Sequence, residues 1–71
     1  MSEAKLLATA EFYTSDIYDH LIGAIDVPAK RMFEAAEALG RLVCKIRKLN
    51  SVAVIYYNQD GREINRDLIY R

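Results

Sequence analysis

Residues 52–61 constrain this chain more than any other stretch. Val52-Ala53-Val54-Ile55-Tyr56-Tyr57 is dense in β-branched and aromatic residues, which suit a pleated, half-buried surface. Asn58-Gln59-Asp60-Gly61 follows as a turn, most simply type I with Gly61 in the left-handed position. Residues 62–70 then return as a second strand. A three-residue loop sets Tyr56 against Ile64 and Val52 against Leu68. Those four share a face with Val54 and Arg66, while Ile55, Tyr57, Glu63, Asn65 and Asp67 take the other. A lone two-stranded hairpin is marginal in water, so the rest of the chain must cover it or extend it.

The rest is short. At 71 residues the chain is read as one domain, residues 1–71. A domain of this size buries only about 60% of its unfolded surface. Cys44 is the one cysteine and His20 the one histidine, so neither an internal disulfide nor a four-ligand zinc site is available as a staple. Good packing or self-association is left. With 52% apolar residues, a net charge of zero, one Pro and three Gly, the composition is that of a folded domain. No apolar run approaches the ~20 residues of a membrane span. Residues 1–5 lack the basic and apolar regions of a signal peptide, which gives a cytoplasmic expectation with a reduced thiol.

Two further segments read as helical. In residues 2–25, Leu6, Ala10, Tyr13, Ile17, Leu21 and Ala24 recur at spacings of three and four, and Lys5, Thr9, Asp16 and His20 fall opposite. A competing reading makes residues 5–14 a strand, with Leu6, Ala8, Ala10 and Phe12 alternating, followed by a shorter helix ending near Gly23. Asp26-Val27-Pro28 resembles a helix start, an acidic N-cap followed by Pro in the first turn. That helix runs to about Leu49. Met32, Ala35, Leu39, Val43, Ile46 and Leu49 form its core stripe. Lys30, Glu34, Glu37, Arg41, Lys45 and Lys48 form the solvated one, with Glu37 and Arg41 an i,i+4 pair. Phe33, Ala36, Gly40 and Cys44 widen the apolar arc, and the last three are small enough to admit a close neighbour. The expected fold is α+β: two helices followed by a C-terminal β-hairpin (α-α-β-β), with β-α-α-β-β as the alternative order.

No motif names an activity. His20 with Asp16 and Asp19 supplies too few convergent ligands for a metal or acid–base site. Cys44 sits on an apolar flank that suits packing more than nucleophilic chemistry. Gly23 and Gly61 lack the spacing of a phosphate-binding loop. No catalytic residue, cofactor or metal is therefore expected. Five tyrosines and no Trp in so short a chain suit an interface, with Tyr57 and Tyr70 the exposed candidates and Tyr56 a core residue. The resulting expectation is a non-enzymatic small cytosolic regulator, adaptor or inhibitor that acts by binding protein and self-associates as a homo-oligomer. Its interface residues would be Phe33, Ala36, Gly40, Cys44, Tyr57 and Tyr70. The alternative is a winged-helix-like DNA-binding regulator, with Arg41, Lys45, Lys48 and Arg62 on the nucleic acid.

Overall fold

The computed structural model describes residues 7–14 and 20–71. Strand β1 (Leu7–Tyr13) and strand β2 (Leu21–Pro28) come first. A single 3-10 turn (Ala29–Arg31) leads into helix α1 (Met32–Arg47), and strands β3 (Ser51–Tyr57) and β4 (Glu63–Tyr70) follow. The four strands form one antiparallel sheet in the order β2-β1-β3-β4. Both expected orders, α-α-β-β and β-α-α-β-β, are thus replaced by β-β-α-β-β. The correction has a local cause at each end of the N-terminal half.

In β1 the alternation of Ala8, Ala10 and Phe12 into the core wins over helical spacing, and all three are buried. The residues read as the first helix's end are instead β2. Its Phe12↔Gly23, Ala10↔Ile25 and Ala8↔Val27 pairs set Ile25 and Val27 on the core side. Asp26 is a mid-strand residue and not a cap. It lies opposite Thr9, whose hydroxyl donates to its carboxylate at 2.6 Å. Pro28 closes β2 because the residue before a proline is held extended, and an edge strand tolerates the missing N–H. Helix α1 therefore begins one turn later than Asp26-Val27-Pro28 suggests. The segment 15–19, with Asp16, Ile17, Tyr18 and Asp19, lies outside the described residues, as do Lys5 and Leu6.

Helix α1 crosses one face of the sheet on a different stripe from the one its spacing suggests. Met32, Ala36, Gly40 and Cys44 are the buried residues. Ala35, Leu39, Val43 and Leu49 are half-buried, and Ile46 is 70% exposed. Small residues on both partners, Ala8 and Ala10 in β1 and Ala36 and Gly40 in α1, let helix and sheet approach closely. Phe12, Met32, Val52, Val54, Tyr56 and Ile69 fill the remaining volume. The expected solvated stripe is observed, with Glu37 accepting from Arg41 at 2.9 Å. The helix ends at Lys48, whose φ of 59° is left-handed and whose N–H reaches the Cys44 carbonyl. A lysine pays a steric penalty there that glycine avoids. Lys48→Gly is expected to stabilise the fold by about 0.5–1 kcal/mol in urea denaturation. An unchanged or lowered midpoint would mean that the Lys48 side chain itself supports the helix end.

The hairpin turn forms as its sequence suggests. Asn58 and Arg62 close it at 2.9 Å, the Asn58 amide oxygen accepts from the N–H of Asp60 and of Arg62, and Gly61 has φ 84°. The first pair beyond it, Tyr57↔Glu63, also fits the expected register. Ile64 then bulges out, and the ladder resumes at Tyr56↔Asn65 and runs to Ser51↔Tyr70. That single extra residue exchanges the two faces of β4. Asn65, Asp67 and Ile69 turn toward the helix side, and Arg66, Leu68 and Tyr70 toward the other.

Candidate interaction surface

Three surfaces carry the functional candidates. The first is an open groove of about 250 Å³ between α1 and the edge strand β4. Phe33, Glu37 and Arg41 line it from the helix, Tyr56 from below, and residues 67–70 along β4. The Phe33 ring lies against that of Tyr56 with centroids 4.5 Å apart. Burial pushes the Tyr56 hydroxyl up from its ordinary range, and the carboxylates of Asp67 and Glu37 add to the shift, so it stays a neutral donor. Glu37 is engaged by Arg41, whereas Asp67 accepts only from the N–H of Leu68, at 2.8 Å, among the described residues.

The second surface is the face of the sheet that the helix leaves open. Glu11 lies at its centre. The Tyr13 hydroxyl donates to it at 2.8 Å, and burial together with the same carboxylate pushes the Tyr57 hydroxyl up from its ordinary range. The bulge at Ile64 brings Glu63 and Arg66, three apart in sequence, onto this face as an ion pair at 2.5 Å, which holds the Glu63 carboxyl below its usual range. No sequence motif points to Glu11. Its signal is the strand alternation of residues 5–14, in which only the apolar members stand out.

The Glu11 contact carries a pH prediction. The hydrogen bond to Glu11, then burial, then the charge of Glu11 push Tyr13 up to about 12 from the ordinary 10.0. The folded state therefore holds this proton more tightly than the unfolded chain does. The stabilisation is complete below about pH 10 and is lost as pH rises toward 12. Phenolate absorbance should show Tyr13 ionising near the upper value, and Glu11→Gln should bring it down toward the lower. A Tyr13 that ionises normally in the wild type would rule out this contact.

The third surface is the outer flank of α1. Leu42 and Ile46 stand one turn apart, 51% and 70% exposed, beside Ala35 and Ala38.

The residues expected to form the interface divide between these places. Phe33 is half exposed at the groove, and Tyr70 is well exposed on β4. Tyr57 is half-buried beside Glu11. Ala36, Gly40 and Cys44 are buried beneath their own helix. The close neighbour their size admits is intramolecular: a Cβ on Gly40 would come within 2.8 Å of Ile69 Cδ1. The Cys44 thiol donates to the Ile69 carbonyl at 3.7 Å, and burial pushes it up, partly offset by the charge of Arg71. It is a protonated packing group.

The nucleic-acid set does not converge. Arg41, Lys45 and Lys48 are exposed along α1 and its end, and Lys48 stands three residues before the start of β3. Lys48 thus lies where β3 starts and Arg62 where β3 has ended, about 20 Å away by the strand rise. The described residues contain one α-helix, so the paired helices of a winged-helix core are lacking. His20 is exposed, and Asp16 and Asp19 lie outside the described residues. Among the described residues no three His, Cys, Asp or Glu side chains are grouped to hold a metal, and no helix is long and apolar enough to cross a membrane. Compared with known protein families, characterised proteins and solved structures, the chain has no significant match.

Proposed function

We propose that this chain is a non-enzymatic protein that acts by binding other protein chains and that associates with copies of itself. The observation that carries the reading is the placement of its large apolar side chains. Seven of them are at least 40% exposed among the described residues, and Leu42 and Ile46 form a continuous strip with Ala35 and Ala38. Scattered apolar residues are ordinary on a surface, but contiguous ones beside open sheet edges mark contact sites. A net charge of zero removes the mutual repulsion that keeps copies apart. A cytosolic location belongs to the same proposal, supported by the unpaired Cys44 thiol.

Light scattering at low and high salt, with and without a short DNA duplex, tests the reading. The expected result is a mass above that of one chain that duplex DNA leaves unchanged. A monomer at every attainable concentration overturns self-association. A DNA complex that dissolves at high salt overturns the protein-binding reading in favour of a nucleic-acid one.

A further inference from the structure

We propose that two copies of this chain pair through β4, edge to edge and antiparallel about a two-fold axis at Ile69, to form a continuous eight-stranded sheet. This rests on the self-association proposed above and assigns it a surface and a register.

The backbone supplies the first argument. The N–H of Arg71 bonds the Asn50 carbonyl at 2.9 Å, so Arg71 points its backbone groups inward, toward β3. Counting back along the regular ladder, Ile69 and Asp67 also point inward, and Leu68 and Tyr70 point outward. The Leu68 N–H agrees with this, since it is free to bond the Asp67 carboxylate and not the ladder. Leu68 and Tyr70 therefore present unused hydrogen-bonding groups at the sheet edge. Antiparallel pairing about Ile69 sets Leu68 of each copy against Tyr70 of the other, the two positions whose groups face outward. It forms four backbone hydrogen bonds, two from each Leu68–Tyr70 pair.

Side chains select the same register. A two-fold axis perpendicular to the sheet keeps both helices on one face, so paired residues share a face. Centring the axis on Arg66 or Asp67 sets that charge against its own copy. Centring it on Leu68 sets Asp67 against Ile69. Centring it on Ile69 sets Ile69 against itself, the apolar Leu68 and Tyr70 against each other, and Asp67 against Arg71 twice. Arg71 is on the helix side as this requires, because its N–H continues the ladder at Asn50 and it stands two residues past Ile69 in the strand alternation. Neither Asp67 nor Arg71 has an ion-pair partner among the described residues. In the single chain Asp67 covers the Leu68 amide, and in the pair it releases that amide to the second strand and takes the guanidinium. Tyr70, 64% exposed in one chain, would be covered.

Charge reversal tests the register. Sedimentation equilibrium is run on the wild type, on Asp67→Arg and on Arg71→Asp. The wild type is expected to dimerise and each variant alone to dimerise at least tenfold more weakly, because like charges then face each other at both ends. An equimolar mixture of the two variants is expected to regain dimers. In the mixed pair, the variant with two cations at these positions meets the variant with two carboxylates, so opposite charges face each other at both ends again. Tyr70→Pro removes only an outward N–H and is expected to abolish pairing with the melting transition retained. A wild-type dimer that both reversals leave intact, or variants that stay apart on mixing, would overturn the β4 register while leaving self-association standing. A wild type that never dimerises overturns both.

Discussion

Phe12→Ala is expected to lower the melting temperature by about 12 °C or more. Phe12 is among the largest fully buried side chains and lies on β1, a central strand, opposite Val54 on one side and Gly23 on the other. Its glycine neighbour has no side chain to move into the space. Truncating a buried Phe costs about 3–5 kcal/mol, the upper end applying where the site cannot collapse. A domain of this size has a total stability of only about 4–10 kcal/mol. The variant should thus be partly unfolded at physiological temperature. Circular dichroism melts read this directly, and a loss below about 1 kcal/mol would mean that Phe12 is not at the centre of the core.

Gly40→Leu should have the second largest effect, a net loss of about 2 kcal/mol. The methyl of an alanine here would already stand 2.8 Å from Ile69 Cδ1 and 3.1 Å from Ile69 Cγ2. A leucine adds three more carbons in a place where helix and edge strand touch. Overpacking of this kind costs about 1–3 kcal/mol or more, against a gain of about 1 kcal/mol in helix propensity over glycine. Gly40→Ala has the same gain and a smaller clash, and Ile69→Val removes the nearest atom. The double variant Gly40→Ala, Ile69→Val should therefore be more stable than the sum of its single changes implies. Additive effects would mean that Gly40 and Ile69 are not coupled.

Both variants probe the packing of α1 on the sheet, which the sequence describes only in part. The hairpin was legible because its information is local. A run of β-branched and aromatic residues, an Asn-to-Gly turn and the left-handed Gly61 all lie within ten residues. The solvated stripe of α1 was legible for the same reason, since its charges repeat at the helical period and Glu37 meets Arg41 one turn on. Tyr56 as a core residue followed from its place in an apolar strand, and it is buried.

The N-terminal half was legible only as an alternative, the strand reading of residues 5–14, because the evidence that decides it is not local. Alanines at positions 8 and 10 favour a helix in isolation. They are strand residues here because β1 lies between β2 and β3 and beneath α1, where only a small side chain fits. Propensity yields to such pairing. The sites were less legible than the fold. The groove joins Phe33 to Asp67, the open face joins Glu11 to Tyr57, and the proposed β4 pairing would join Asp67 to Arg71 of another copy. None of these pairs is close enough in sequence for spacing to reveal it, except the last, whose meaning depends on which backbone groups face outward.

The sequence by itself determined a C-terminal hairpin with its turn and a helix across the middle of the chain with one charged side. Each follows from interactions between residues a few positions apart. The tertiary structure alone decided between the strand and helix readings of residues 5–14, that residues 21–28 pair with β1 as β2, that Ala36, Gly40 and Cys44 point inward, and which face of β4 meets the helix. The last point turned on one bulged residue, Ile64, because side chains alternate with a period of two and a single insertion exchanges every partner beyond it.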